Sequence, residues 1–283
     1  EPYLQAFSGI CPVAYLDDLQ LFDYPVDLVI NYDVIPEDML PSYQAAYKRA
    51  GQTLLGASYT PLRSQFQMEV PAVRPSVKDI LITTGGSDPY HFCLNLLSCF
   101  QERLSALIAE PDFHLHVLIG SLNEDKRLLR ELAAELSFLR LHENVTDMAA
   151  LMASCDLAIS AAGTTLYELC AVGIPAVSYS FADNQLPSSL AFANVGAVPY
   201  AGDLRVDTES CSIVPSPDSK DTGSAHGLPD VLSAVCHFVT DMSGNIAKRK
   251  SAQQSMHRLI DGKGSYRIAG ALEECAFHNF RSP

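Results

Sequence analysis

Leu157–Gln185 reads LAISAAGTTLYELCAVGIPAVSYSFADNQ, and the order of its parts predicts strand, glycine turn, helix, strand and polar loop. Leu157–Ser160 is a short apolar run suited to a buried strand. Gly163 allows a sharp turn and a close approach that a side chain would obstruct. Thr164 or Thr165 is expected to cap the helix that follows. The first turn of a helix leaves unpaired N–H groups with partial positive charge, which suits a phosphate without any Lys or Arg. Glu168 lies about one helical turn further in, where a carboxylate can accept hydrogen bonds from ribose hydroxyls. Gly173-Ile174-Pro175 ends the helix and opens the next strand. The plainer alternative is an ordinary capped helix of an α/β domain, with Glu168 merely solvated.

A second junction has the same design. Lys78–Thr84 (KDILITT) reads as a strand and runs into Gly85-Gly86-Ser87-Asp88-Pro89 before a helical segment expected over Tyr90–Glu110. Open parallel sheets bind ligands outside the carboxyl ends of their strands, so both turns are expected to face one crevice. Around these junctions the chain alternates. Strands are expected at Asp79–Thr84, Leu115–Ile119, Leu139–Leu141, Leu157–Ser160 and Ala176–Tyr179. Helices fall between them at Glu124–Leu136, Met148–Cys155 and Thr165–Ala171. That alternation predicts an α/β fold with a doubly wound parallel sheet.

The residues before it form a separate block, 1–74, with strands at Val13–Leu16, Val26–Ile30 and Thr53–Ala57 and a helix at Glu37–Ala50. Val70–Pro75 (VPAVRP) has the stiffness of an interdomain linker. Asp203–His226 is rich in Ser, Asp, Pro and Gly without periodicity and reads as an exposed excursion. Three helices close the chain, at Leu228–Asp241, Asn245–Ile260 and Tyr266–Phe277. Gly262 is expected to end the second of these and Ser265 to cap the third.

Composition narrows the partners. A net charge of −14 argues against nucleic acid or an anionic membrane surface, both of which require clustered Lys and Arg. No apolar run approaches the length of a membrane span, and the expectation is a cytoplasmic protein without stable membrane insertion. The eight cysteines are scattered without a Cys-x-x-Cys pair, as reduced core residues are. His114 and His116 share one strand face, but with no third ligand beside them in sequence they read as packing or surface residues rather than a metal site. Asp17-Asp18 follows a strand, either as a paired-carboxylate site in the cleft or as solvated acids of a turn. Tyr32 and Asp33 invite the same two readings. Arg63 reads as a phosphate ligand across the cleft or as a packing residue.

Several segments together carry a family resemblance: VAYLDDL (Val13–Leu19), YPVDLVINYD (Tyr24–Asp33), LLGASYTPLRSQF (Leu54–Phe66), ITTGGSDP (Ile82–Pro89), Asn144–Pro175, ADNQ (Ala182–Gln185) and DGKGSYR (Asp261–Arg267). In this order they resemble the UDP-2,4-diacetamido-2,4,6-trideoxy-β-L-altropyranose hydrolases of pseudaminic acid biosynthesis and their relatives in spore-coat polysaccharide synthesis. That family is similar in turn to the family 28 glycosyltransferases. The resemblance implies a GT-B-like α/β fold of two Rossmann-type domains, the amino-terminal one incomplete: its remainder over 1–74, the nucleotide-binding one over 75–262, and a carboxyl-terminal helix, 263–283, packing back on the first.

The resemblance also assigns roles. Gly85, Gly86 and Ser87, with Ala162, Gly163, Thr164 and Thr165, would hold the diphosphate of a UDP-sugar. Glu168 would hold the ribose, and the backbone of Val145 would meet the uracil. Asp183, Asn184 and Gln185 would face the sugar, with Asp18 a further candidate. It implies hydrolysis by water without a cofactor or divalent ion. The chain departs from the pattern in lacking a G-x-G-H-x-x-R loop, whose histidine is the favoured catalytic group. It therefore reads as amino-terminally truncated, or as the second portion of a longer or fused polypeptide, and as inactive by itself in hydrolysis. Two other functions stay open: a glycosyltransferase using the same donor, and a non-catalytic UDP-sugar-binding module fused to or associated with a nucleotide-sugar enzyme.

Overall fold

The computed structural model of the protein describes residues 2–7, 10–205 and 227–279. A short helix α1 (Pro2–Gln5) precedes a three-stranded parallel sheet in the order β1 (Ala14–Leu16), β2 (Leu28–Asn31), β3 (Gln52–Leu55). Between the last two runs α2 (Leu40–Ala46), shorter than the expected Glu37–Ala50 because Pro41 sits at its start and no side chain of it is buried. β2 is buried along its whole length, as the apolar run Leu28–Ile30 requires.

After the linker the alternation proceeds as β4 (Asp79–Thr83), α3 (Phe92–Arg103), α4 (Ser105–Ile108), β5 (His114–Leu118), α5 (Lys126–Glu135), β6 (Leu139–His142) and α6 (Met148–Ala153). It continues with β7 (Leu157–Ala161), α7 (Thr164–Val172), β8 (Ala176–Ser180), α8 (Leu186–Asn194) and β9 (Tyr200–Asp203). These six strands form one parallel sheet in the order β6-β5-β4-β7-β8-β9. The order reverses between β4 and β7, as in a Rossmann sheet. Helices cover both faces. Ile80, Ile82, Leu115 and Ile159 pack under Phe92, Leu96 and Phe100 of α3 and Val231 and Val235 of α9 (Leu228–Ser243). Leu81 and Ala158 pack on the other face with Met152, Leu166, Leu169 and Met256, the last from α10 (Ile246–Leu259).

The structure also departs from sequence expectation elsewhere. The helix expected over Tyr90–Glu110 is two, because Leu104 leaves helical geometry (φ −120°, ψ 26°) while its side chain stays in the core. The helix α8 and strand β9 were not anticipated. The first starts on Pro187 beside the ADNQ loop, and the second pairs with β8 through a register shift between Ser178 and Ser180. The excursion expected from Asp203 begins later, since Asp203 ends β9; its remainder, 206–226, lies outside the described residues. Ser265 does not cap the last helix, α11 (Gly264–Asn279), but donates from its hydroxyl to the Leu62 carbonyl, 2.7 Å away.

That contact belongs to a wider junction. Ala271 of α11 is buried with Leu28, Ile30 and Leu54 of the first sheet. A Cβ on Gly262 or Gly264 would collide with the carbonyls of Phe66 and Thr60, so glycine there lets the chain lie against the first unit. Val34, Ala57 and Phe66 of the first unit join the core around α7. No helix among the described residues is long and apolar enough to cross a membrane.

Candidate functional site

β4 and β7 are adjacent and parallel, with Thr83 opposite Ser160, so the two glycine turns leave the same end of neighbouring strands. Gly85 adopts φ 75°, which a side chain would strain. Gly86 and Gly163 have no such need. Neither lies in the left-handed region, and a Cβ added to either would meet no atom within 4 Å. Their lack of side chains therefore serves nothing inside the chain. It leaves open space above the turns.

The two helix starts differ. Gly163 is the N-cap of α7 and no side chain caps that helix, so neither Thr164 nor Thr165 takes the capping role expected of it; they are its first two residues. The Leu166 amide donates to the Gly163 carbonyl at 3.1 Å, and the Thr164 and Thr165 amides are left for an external acceptor. At α3 the buried Asp88 accepts from the Phe92 and Cys93 amides at 2.8 and 2.9 Å, which satisfies that helix from within. On the β4 side a ligand would meet the turn Gly85–Ser87, where the Gly85 amide points at Thr83 Oγ1 at 3.4 Å. Thr84, buried at the base of the turn, has a hydroxyl with no hydrogen-bond partner among the described residues.

Glu168 points from α7 into a half-buried position and is reached by Arg63 Nη2 at 3.1 Å. Burial raises its carboxyl above the ordinary glutamate value, and the Arg63 guanidinium opposes that shift. Arg63 itself lies over the Phe66 ring, 5.3 Å from its centre, so the first unit supplies the partner of the candidate ribose ligand. Val145 follows β6, half-buried, with neither its N–H nor its carbonyl bonded among the described residues. Beyond β8, Asp183–Gln185 forms a single 3-10 turn. Gln185 Oε1 accepts from the Phe181 amide at 2.9 Å, Asn184 is exposed, and Asp183 is held by Arg205. Arg205 also grips Asp203 through Nε and Nη2. Sequence reading missed Arg205, Asp88 and Gln65, whose side chain accepts from the Ala149 amide of α6 at 3.1 Å.

The polar residues of the first unit collect at the carboxyl ends of β1 and β2, facing α7. Asp17 is buried and saturated, accepting from Tyr24 and Tyr47 hydroxyls (3.0 and 2.6 Å) and from the Leu19 and Gln20 amides. It is a structural acceptor, and the paired-carboxylate reading of Asp17-Asp18 gives way to one buried and one exposed acid. Asp33 differs. Burial lifts its carboxyl above the usual aspartate range, helped by repulsion from Asp18 and Asp17 and opposed by contacts with Asn31 and Tyr43. Its neighbour Tyr32 meets Tyr167 of α7 edge-on at 5.9 Å. A separate cavity of about 260 Å³ lies at the opposite ends of the strands, lined by linker residues 71–74 and by Cys155, Asp156 and Pro175. Its carboxylate, Asp156, is already taken by Arg74 and by the Lys78 and Asp79 amides.

No protein-family model matches the chain. Among curated proteins it is 24% identical over 221 residues to the spore coat polysaccharide biosynthesis protein SpsG of Bacillus subtilis, covering 77% of this chain and 57% of that protein. It is 27% identical over 145 residues to the pseudaminic acid cytidylyltransferase and UDP-2,4-diacetamido-2,4,6-trideoxy-beta-L-altropyranose hydrolase of Helicobacter pylori, covering 51% of this chain and 25% of that one. The chain thus spans about half or less of the length of these relatives. Among solved structures, the glycotransferase of kitacinnamycin superposes with a TM-score of 0.54 at 15% identity, over 89% of this chain and 55% of that one. With the strand order above, that likeness makes the fold GT-B-like α/β, built from parallel Rossmann-type sheets.

Proposed function

We propose that the chain binds a UDP-sugar across the carboxyl ends of β4 and β7 and serves its hydrolysis, releasing UDP from a UDP-linked diacetamido-trideoxyhexose in pseudaminic acid or surface polysaccharide biosynthesis. The observation that carries this reading is the uncapped start of α7 beneath open space at Gly163 and Gly86, with a half-buried carboxylate one turn away. Cleaving an anomeric C–O bond places charge on the departing diphosphate. Fixed main-chain dipoles at Gly85–Ser87 and Gly163–Thr165 stabilise it without reorganising. Glu168 accepts from the ribose, sharing itself with or releasing Arg63. Val145 offers free backbone groups to the uracil edge. Asp183, Asn184 and Gln185 frame the sugar side, and Asp33, whose carboxyl is disposed to carry a proton, faces it from the first unit.

The name of the Helicobacter pylori relative supports the hydrolase, and transfer of the same sugar to an acceptor other than water is the second reading, since a glycotransferase shares the fold. Calorimetric titration with UDP tests the shared step. Saturable binding is expected, and no heat at millimolar UDP would remove both readings. Release of UDP from the diacetamido-sugar nucleotide without an acceptor, assayed with the G-x-G-H-x-x-R segment that this chain lacks joined to its amino terminus, then separates hydrolysis from transfer, and binding without release by either route leaves a binding module.

A further inference from the structure

Outside the crevice, one cluster of side chains has the chemistry of a metal site. β4 and β5 pair in register, Asp79 opposite His114 and Leu81 opposite His116, which places three donor side chains on one face of the sheet at its amino-terminal edge. Asp79 Oδ1 lies 2.9 Å from His116 Nε2 and 3.3 Å from His114 Nδ1, and the three atoms fall within 4.8 Å of one another. The histidine rings meet at 72°, fanning toward the shared oxygen. A tetrahedral ion with bonds of about 2.0–2.1 Å sets its ligand atoms about 3.3 Å apart, so little movement is needed to admit one.

The surroundings fit as well. His116 Nδ1 faces His142 Nε2 at 2.9 Å, with the rings stacked, so His142 can accept the Nδ1 proton and leave Nε2 free as a ligand. Arg74 holds the other carboxylate oxygen of Asp79 at 2.8 Å, and its own charge is met by Asp156 at 2.6 Å. Arg249, buried behind this pair, lies within electrostatic reach of Asp156 and Arg74, so the two guanidiniums balance the two carboxylates and leave Asp79 Oδ1 to the histidines. Arg140, across from His116 in β6, turns away onto the Ser137 and Leu139 carbonyls. Side-chain exposures of 14 to 28% leave room for water in a fourth position.

We propose that Asp79, His114 and His116 bind one divalent metal ion of the zinc type, with His142 as the positioning residue behind His116. The ion takes the place of the hydrogen bonds that join the two rings to Asp79. It sits at the opposite ends of the strands from the glycine turns, so its role is to fasten β4, β5 and the linker arginine together, not to act in the crevice.

Chelator-treated protein titrated with Zn²⁺ alone should bind one equivalent in the micromolar range and melt at a higher temperature. His114→Ala and His116→Ala should each weaken binding by more than about tenfold, and His142→Ala by about tenfold. Co²⁺ should give visible absorption of nitrogen and oxygen ligation without a thiolate band. The site is refuted if Zn²⁺ does not bind at millimolar concentration, if the double variant at His114 and His116 binds like the parent, or if Co²⁺ shows thiolate ligation. Should an alanine variant fail to fold, His114→Gln carries the same comparison, since it keeps a polar side chain of similar length.

Discussion

At the scale of single residues, Gly163 and Glu168 carry the most weight. Gly163 has φ 162°, extended backbone open to any residue, and empty space where a Cβ would go. Gly163→Ala should therefore cost the fold less than about 1 kcal/mol. The same methyl would stand where a phosphate must approach the α7 amides, so UDP affinity should fall at least about tenfold, or about 1.4 kcal/mol. Thermal melting beside calorimetry separates the two effects, and a variant that loses stability and keeps UDP would contradict the assignment. Glu168→Gln should weaken UDP by about 1.5–3 kcal/mol, the worth of a hydrogen bond to a charged group, and 2′-deoxy-UDP by less. Because burial raises the Glu168 pKa, its carboxylate is lost as pH falls through a value above the ordinary glutamate range. UDP binding should then weaken at mildly acidic pH in the parent, and this dependence should flatten in Glu168→Gln. Equal pH profiles for the two proteins would remove the carboxylate from the ribose.

At the scale of elements, two junctions alike in sequence differ in what their helices can offer. α3 begins on amides already held by Asp88, while α7 begins on amides held by no side chain. Asp88→Ala should destabilise the protein by about 1–2 kcal/mol through the lost cap, read as a lower urea midpoint. UDP affinity should change little by comparison, because Asp88 faces its own helix. The strand-turn-helix pattern at both places was legible, since it rests on apolar periodicity and on glycine. The inequality was not. A Ser-Asp-Pro sequence allows the carboxylate to face a ligand or its own helix, and only the path of residues 88–92 decides. The element boundaries at Leu104 and at β9 escaped for a related reason. Leu104 stays apolar through the break, and Tyr200–Asp203 becomes a strand only because β8 provides an edge to pair with.

At the scale of the whole molecule, the first unit is bound to the second through Phe66 and α11. Phe66 is fully buried within the core around α7 and also supports Arg63, the partner of Glu168. Phe66→Ala should cost about 3–5 kcal/mol and also reduce UDP affinity, measured by urea unfolding and calorimetry. Loss of stability with unchanged UDP binding would show that the first unit does not shape the ribose site. The sequence by itself determined the α/β alternation, the two glycine turns and the acid that follows one of them, because each is set by residue type and spacing within a short window. Tertiary structure alone decided that β4 lies beside β7, that Arg63 meets Glu168 across 105 residues, and that Asp79 completes the pair His114 and His116. Those outcomes depend on strand order and register, which a chain settles only when distant segments bury their apolar faces together.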